Sequence, residues 1–188
     1  MSKLFNTLKQ ILPTMVIVAA ISSASVHAAQ NVKLNDDKIR FLGTNYINFE
    51  DSQVSFTRHS KTTLSLPKVQ IGFNPIKAQT TSGIAINLAT NSSVINFEFI
   101  ILEKENRGSE FALYENNKLV QTFKFNRKDK TLKLNYQSEN LNYKEYRLTL
   151  PSWSNVALRS ISLDDNSELL TIKSPRQEKY VALGDSII

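Results

Sequence analysis

The chain has 188 residues, no cysteine, 41% hydrophobic and 21% charged residues, and a formal charge of +6. This suits one globular domain with a real core plus extensions, and it excludes a disulfide scaffold. With five glycines and five prolines, and neither low complexity nor an internal repeat, collagen-like, linker-dominated and solenoid chains are excluded too.

Residues 1–28 read as a secretory leader. Lys3 and Lys9 charge the first segment, residues 11–21 form an apolar run broken by Pro13 and Thr14, and Val26-His27-Ala28 places small groups where a leader peptidase cuts. Cleavage is expected after Ala28 or Ala29. The apolar run is shorter than the ~20 residues that a comfortable transmembrane helix needs. A secreted or periplasmic product, with no membrane attachment after cleavage, is the expectation. Export permits disulfides, but this chain has no cysteine to form them, so core burial and sheet hydrogen bonds must hold it.

From residue 29 to residue 174 period-two alternation dominates. Residues 38–42 and 46–49 are short β-type runs separated by Gly43-Thr44-Asn45, and residues 54–58 alternate cleanly. Residues 83–88 alternate as well, with a turn at Asn91-Ser92-Ser93. Residues 94–102 form the longest predicted strand; its second half is apolar on both faces, which predicts a position between two layers. Residues 111–114 and 119–125 flank Glu115-Asn116-Asn117-Lys118, a hairpin signal because asparagine tolerates positive φ. Residues 131–136, 143–150, 156–163 and 169–173 add four strands, punctuated by Pro151-Ser152 and Asp164-Asp165-Asn166-Ser167. Roughly ten short strands almost without helix predict an all-β domain, an antiparallel β-sandwich or jelly roll, with a closed barrel as the structural alternative.

The densest cationic group, Lys124, Arg127, Lys128 and Lys130, falls between two of these strands. A solvated turn accounts for it, and no aromatic side chains interleave as a nucleic-acid platform requires. No His, Cys or acidic cluster has metal-ligand spacing, and nothing calls for a cofactor.

At Ser174-Pro175-Arg176-Gln177-Glu178 the composition changes to that of a linker. Tyr180-Val181-Ala182-Leu183 then has the continuous apolar character of a buried parallel strand, and it runs into Gly184-Asp185-Ser186. A strand that delivers a serine onto a glycine turn is how several hydrolase folds expose a nucleophile. The general Gly-x-Ser-x-Gly elbow is not matched, because Ile188 stands in the last glycine's place.

Gly184-Asp185-Ser186-Ile187 resembles the first motif of the SGNH/GDSL hydrolase superfamily. Leu150-Pro151-Ser152-Trp153-Ser154-Asn155-Val156, an alternating strand and a short linker into Gly-Asp-Ser are similar to the junction in its carbohydrate-esterase-like members, the family 2 acetyl-xylan esterase type, which carry a β-sandwich ahead of the hydrolase domain. The resemblance implies that residues 175–188 are the linker and first strand of an α/β hydrolase domain otherwise absent. It implies that Ser186 is the nucleophile and a backbone oxyanion donor, with Gly184 and Asp185 shaping its turn. The family's closing Asp-x-x-His has no counterpart here, so the 188 residues are expected to be inactive alone as the leading part of a truncated ester hydrolase. His59, the sole histidine outside the leader, is expected to be a surface or strand-end residue.

The implied partner is an acylated polysaccharide. Trp153, beside Pro151 in a turn, is the candidate for stacking on a sugar ring, whereas most of Tyr46, Tyr114, Tyr136, Tyr143 and Tyr146 are expected in the core or in cross-strand pairs. The alternative is an exported carbohydrate-binding or adhesin-like sandwich without catalysis, in which Gly-Asp-Ser is an accident.

Overall fold

The computed structural model describes residues 29–50, 52–67, 73–103, 108–126, 128–140 and 142–173. The leader, the expected domain boundary at Pro175 and the segment carrying Gly184, Asp185 and Ser186 lie outside the described residues.

The strands are β1 (Gln30–Asn31), β2 (Arg40–Leu42), β3 (Tyr46–Glu50), β4 (Gln53–Thr57), β5 (Ala85–Thr90), β6 (Val94–Glu103), β7 (Glu110–Glu115), β8 (Lys118–Lys124), β9 (Thr131–Gln137), β10 (Lys144–Thr149), β11 (Asn155–Leu163) and β12 (Leu169–Leu170). Two single-turn helices, α1 (Lys61–Leu64) and α2 (Pro75–Ala78), lie between β4 and β5. The strands form two antiparallel sheets, ordered β3-β4-β11-β6-β9 and β12-β5-β10-β7-β8. This is the expected sandwich. Short strands complete both sheets. β1 pairs with residues 162–163 of β11, while β4 meets β11 at Leu158. On β5, β2 covers residues 85–87 and β12 covers residues 89–90.

Alternation fixes which side chains face inward. Val54 and Phe56 of β4, Phe97 and Phe99 of β6, Ile86 and Leu88 of β5, and Tyr146 and Leu148 of β10 are buried in one core. Aromatic pairs tie the two layers together: Phe99 lies 4.7 Å from Phe111, Phe41 5.2 Å from Phe56, and Tyr136 6.0 Å from Tyr146, between ring centroids. A fully buried side chain such as Phe99 or Phe111 contributes ~1.5–3 kcal/mol relative to exposure. The β7–β8 hairpin turns at Asn116 and Asn117, with φ of 49° and 67°, as the asparagine pair predicts.

β6 differs from expectation on its outer face. It is an internal strand, and Phe97, Phe99 and Ile101 are buried, yet Ile100 is only half-buried and Leu102 is 46% exposed. A sandwich has two layers, so one face of every strand looks outward and the second half of β6 carries apolar residues there. The 169–173 strand shrinks to β12, because beyond Leu170 the chain leaves the edge of β5. The Lys173 N–H donates instead to Tyr143 Oη (2.8 Å) and Glu145 Oε1 (2.9 Å). The cationic turn after β8 is solvated where it is described: Lys128 and Lys130 are exposed, and Lys124 meets Glu110 at 3.2 Å with both side chains largely in water.

Candidate functional site

The sandwich has two ends. The starts of β5, β7 and β11 and the ends of β6 and β10 share one; the opposite ends of those strands share the other.

The first end carries Trp153. The β10–β11 connection, residues 151–154, is clamped to the segment before β5: the Thr81 N–H donates to the Ser154 carbonyl (2.8 Å), Thr81 Oγ1 lies 3.0 Å from both the Pro151 and Ser154 carbonyls, and the Trp153 N–H donates to Ser82 Oγ (3.0 Å). Thr81 and Ser154 are fully buried. On the other flank, Gly108, at φ +70°, packs so closely on Ser152 that a Cβ there would lie 2.0 Å from the Ser152 carbonyl oxygen. The result is a rigid mount that holds Trp153 at φ +62° with its side chain 40% exposed. A bulky residue in this region is strained, and such strain concentrates at ligand sites.

Beside the indole, α2 supplies Lys77. Asn74 caps this helix through its Oδ1, which accepts from the Ile76 (3.1 Å) and Lys77 (3.3 Å) N–H groups, and Pro75 opens it. Lys77 Nζ lies 4.8 Å from the centroid of the Trp153 ring, within cation–π range. The chain leaving β4 brings Arg58 and His59, and the His59 ring meets Phe73 edge-on at 5.8 Å. These groups line a hollow of about 440 Å³ that has, among the described residues, two cations and no carboxylate. His59 is thus a half-buried residue just past a strand end.

The other end is a buried polar cluster. Lys144 shares the inward face of β10 with Tyr146 and Leu148; it is fully buried, and its ammonium donates to the Asn140 carbonyl. Burial lowers its pKa, with Glu115 and Asp164 opposing the shift. Glu115 Oε2 accepts from Tyr136 Oη (3.1 Å) and Tyr146 Oη (3.2 Å), and burial, with Glu115 nearby, raises both phenol pKa values. Asp164 Oδ2 accepts from the Ser93 and Val94 N–H groups at 3.0 Å and from the Ser93 hydroxyl. Every one of these groups has a partner within the protein, which marks the cluster as a clasp across the two layers.

Of the tyrosines, Tyr146 is core and Tyr136 packs on it, while Tyr114 carries Arg147 4.5 Å above its ring. Tyr46 is half exposed on β3, beside a larger apolar hollow of about 550 Å³ lined by Ile47, Phe56, Leu64 and Leu102 among others. Among the described residues that line it, Lys61 alone is charged. No group of three or more His, Cys, Asp or Glu side chains could hold a metal among the described residues. No helix among them is long and apolar enough to cross a membrane.

No family model and no curated protein matches the sequence. The fold does match solved structures. The salicylyl-acyltransferase SsfX3 from a tetracycline biosynthetic pathway superposes with a TM-score of 0.66 at 15% identity, over 78% of this chain and 42% of that one. A family two carbohydrate esterase from Cellvibrio japonicus gives 0.53 at 15% identity, over 80% and 37%. An acetyl xylan esterase from the rumen bacterium Butyrivibrio proteoclasticus gives 0.52 at 12% identity, over 81% and 35%. At these identities the likeness shows the fold, a sandwich shared with an acyltransferase and carbohydrate esterases. The chain spans less than half the length of these structures.

Proposed function

We propose that this sandwich is the leading domain of an exported SGNH/GDSL-type serine ester hydrolase that acts on an acylated polysaccharide. The observation that carries the reading is a conjunction: a sandwich shared with two carbohydrate esterases and an acyltransferase, with Gly184-Asp185-Ser186 following it in the sequence. In this reading Ser186 attacks the ester carbonyl, its own N–H helps hold the oxyanion, and Gly184 and Asp185 form the turn. A serine hydroxyl needs a positioned base. His59, packed edge-on against Phe73, is given no catalytic part, so the base comes from outside these 188 residues.

The test is acetate release from acetylated xylan. The mature chain, residues 29–188, should release none. The coding DNA beyond Ile188 should continue in frame to an Asp-x-x-His, and the longer product should lose its activity on Ser186→Ala. Absence of such a frame in every phase, or release by residues 29–188 that survives Ser186→Ala, would refute the reading.

The Trp153 hollow supports a second reading, compatible with the first, in which the sandwich itself grips glycan. An aromatic ring on a rigid turn, flanked by hydrogen-bonding side chains, is what sugar stacking requires. Retention on a xylan column should be lost on Trp153→Ala.

A further inference from the structure

We propose that the polar hollow beside Asp164 seats the chain's own α-ammonium group, created when the leader is cut between Ala28 and Ala29. This rests on the reading of residues 1–28 as a cleaved leader. Hydrolysis by a leader peptidase adds water across that peptide bond. It leaves a carboxyl group on Ala28 of the released leader and an amine on Ala29, which takes up a proton at neutral pH.

The sheet register brings the two groups together. β1 pairs Gln30 with Leu163 and Asn31 with Ser162, and the Val32 N–H continues the ladder to the Ile161 carbonyl (2.9 Å). One step back along that register sets Ala29 opposite Asp164, and residues so paired have Cα atoms about 4.5–5.5 Å apart. Ala29 and Asp164 accordingly line the same hollow, of about 420 Å³, with Ser93, Asn96, Asn135 and Gln137. The sequence favours this bond over the next. Val26 and Ala28 are the small residues that a cut between 28 and 29 requires, whereas a cut one bond later puts His27 in the place of Val26.

Asp164 is held in place to receive a cation. Its Oδ2 accepts from the Ser93 and Val94 N–H groups at 3.0 Å and from the Ser93 hydroxyl, while its own N–H donates to Ser92 Oγ (2.9 Å). The carboxylate is thus fixed beforehand, and pairing costs it little side-chain entropy. All three donors end on Oδ2, and a carboxylate has acceptor sites on both oxygens, so Oδ1 has capacity for an ammonium. That ammonium brings three hydrogens, and the amide side chains of Asn135 and Gln137 line the same hollow. Asp164 also favours the charged form of the Lys144 ammonium, which burial opposes, and it acts in the same sense on a charge at residue 29. An uncut chain carries a neutral amide at residue 29. The pair therefore forms only once the leader is gone.

The experiment exports the full chain from a secreting host in three forms: unaltered, with Asp164→Asn, and with two alanines inserted between Ala28 and Ala29. Mass spectrometry reads the N-terminus of each product, and competitive acylation over a pH series reads the titration midpoint of its α-amine. The unaltered product should begin at Ala29, with a midpoint about 0.5–1 pH unit above the ordinary α-amino range of about 7.7–8.0. High salt should shrink that difference. Asp164→Asn should return the midpoint to the ordinary range. The insertion, which carries the amine ~7 Å further along the chain and leaves Asp164 with its bonds, should do the same, and it decides the matter if Asp164→Asn does not fold. A product that begins at another residue would overturn the proposal together with the leader cut on which it rests. A product that begins at Ala29 with one midpoint in all three chains would overturn the proposal and leave the leader reading standing. A raised midpoint that survives the insertion would assign the shift to another group, and would overturn it too.

Discussion

Gly83 and Gly108 provide a matched pair for testing how the Trp153 mount is held. Both sit in the left-handed region, at φ +75° and +70°, so an alanine at either position meets the same backbone strain of ~1–2 kcal/mol. Their surroundings differ. A Cβ on Gly83 has nothing within 4 Å, whereas one on Gly108 would sit 2.0 Å from the Ser152 carbonyl oxygen, well inside ordinary van der Waals contact. That oxygen belongs to backbone clamped through the buried Thr81, so it cannot swing aside as a flexible side chain would. Gly83→Ala should therefore cost about 1–2 kcal/mol, and Gly108→Ala should add the ~1–3 kcal/mol typical of overpacking. Urea unfolding measures both, with an unchanged slope showing that the denatured state is not altered. Because Trp153 is the only tryptophan, its native emission should shift in Gly108→Ala and stay put in Gly83→Ala. Equal costs and equal spectra would show that the 108–152 contact does not hold the turn.

The clasp at the opposite end gives two further predictions. Tyr146 titrates above its ordinary value in the folded state, so above pH ~10 the unfolded chain loses a proton the folded one keeps, and stability falls by up to ~1.4 kcal/mol per pH unit for each such tyrosine. Tyr146→Phe should make alkaline unfolding shallower, at a cost near neutrality of ~1 kcal/mol for the bond to Glu115; an unchanged slope measured by chemical denaturation from pH 9 to 12 would refute this. Lys144, with its pKa lowered by burial, acts in the opposite sense: stability rises as pH climbs from its folded pKa towards its ordinary value. Asp164→Ala removes an acceptor of three donors around Ser93 and should cost about 2–4 kcal/mol, seen as a lower urea midpoint, with Asp164→Asn recovering part of the loss.

The sandwich was legible because alternation is a local signal with a single structural meaning, and the asparagine pair at 116–117 named its own turn. Where the sequence misled, burial was decided by partners far along the chain. Residues 100 and 102 are apolar, but the second layer lies on the other face of β6. The burial of Lys144, in phase with Tyr146 and Leu148, was not read from the sequence; only the fold brings the Asn140 carbonyl to its ammonium. β1, two residues long, is too short to carry any pattern, and β12 keeps only the first two residues of the run predicted at 169–173. Trp153 stood out as a lone tryptophan beside a proline, but Arg58 stands at the end of an alternating run, and Phe73 and Lys77 come from a stretch with no periodic pattern. Nothing in their spacing announces that they meet it.

The position of β11 bears on the order in which the fold can close. It is the middle strand of the first sheet, and among the described residues β3 and β4 on one side are joined by strand pairing to β6 and β9 on the other only through it. A two-stranded ribbon is barely stable in water. Until residue 163 has left the ribosome, that layer exists as two unjoined ribbons, and the seam on β5 waits still longer for residues 169–170. Such late, distant pairings close slowly. The first sheet therefore stays incomplete until most of the described residues have been made.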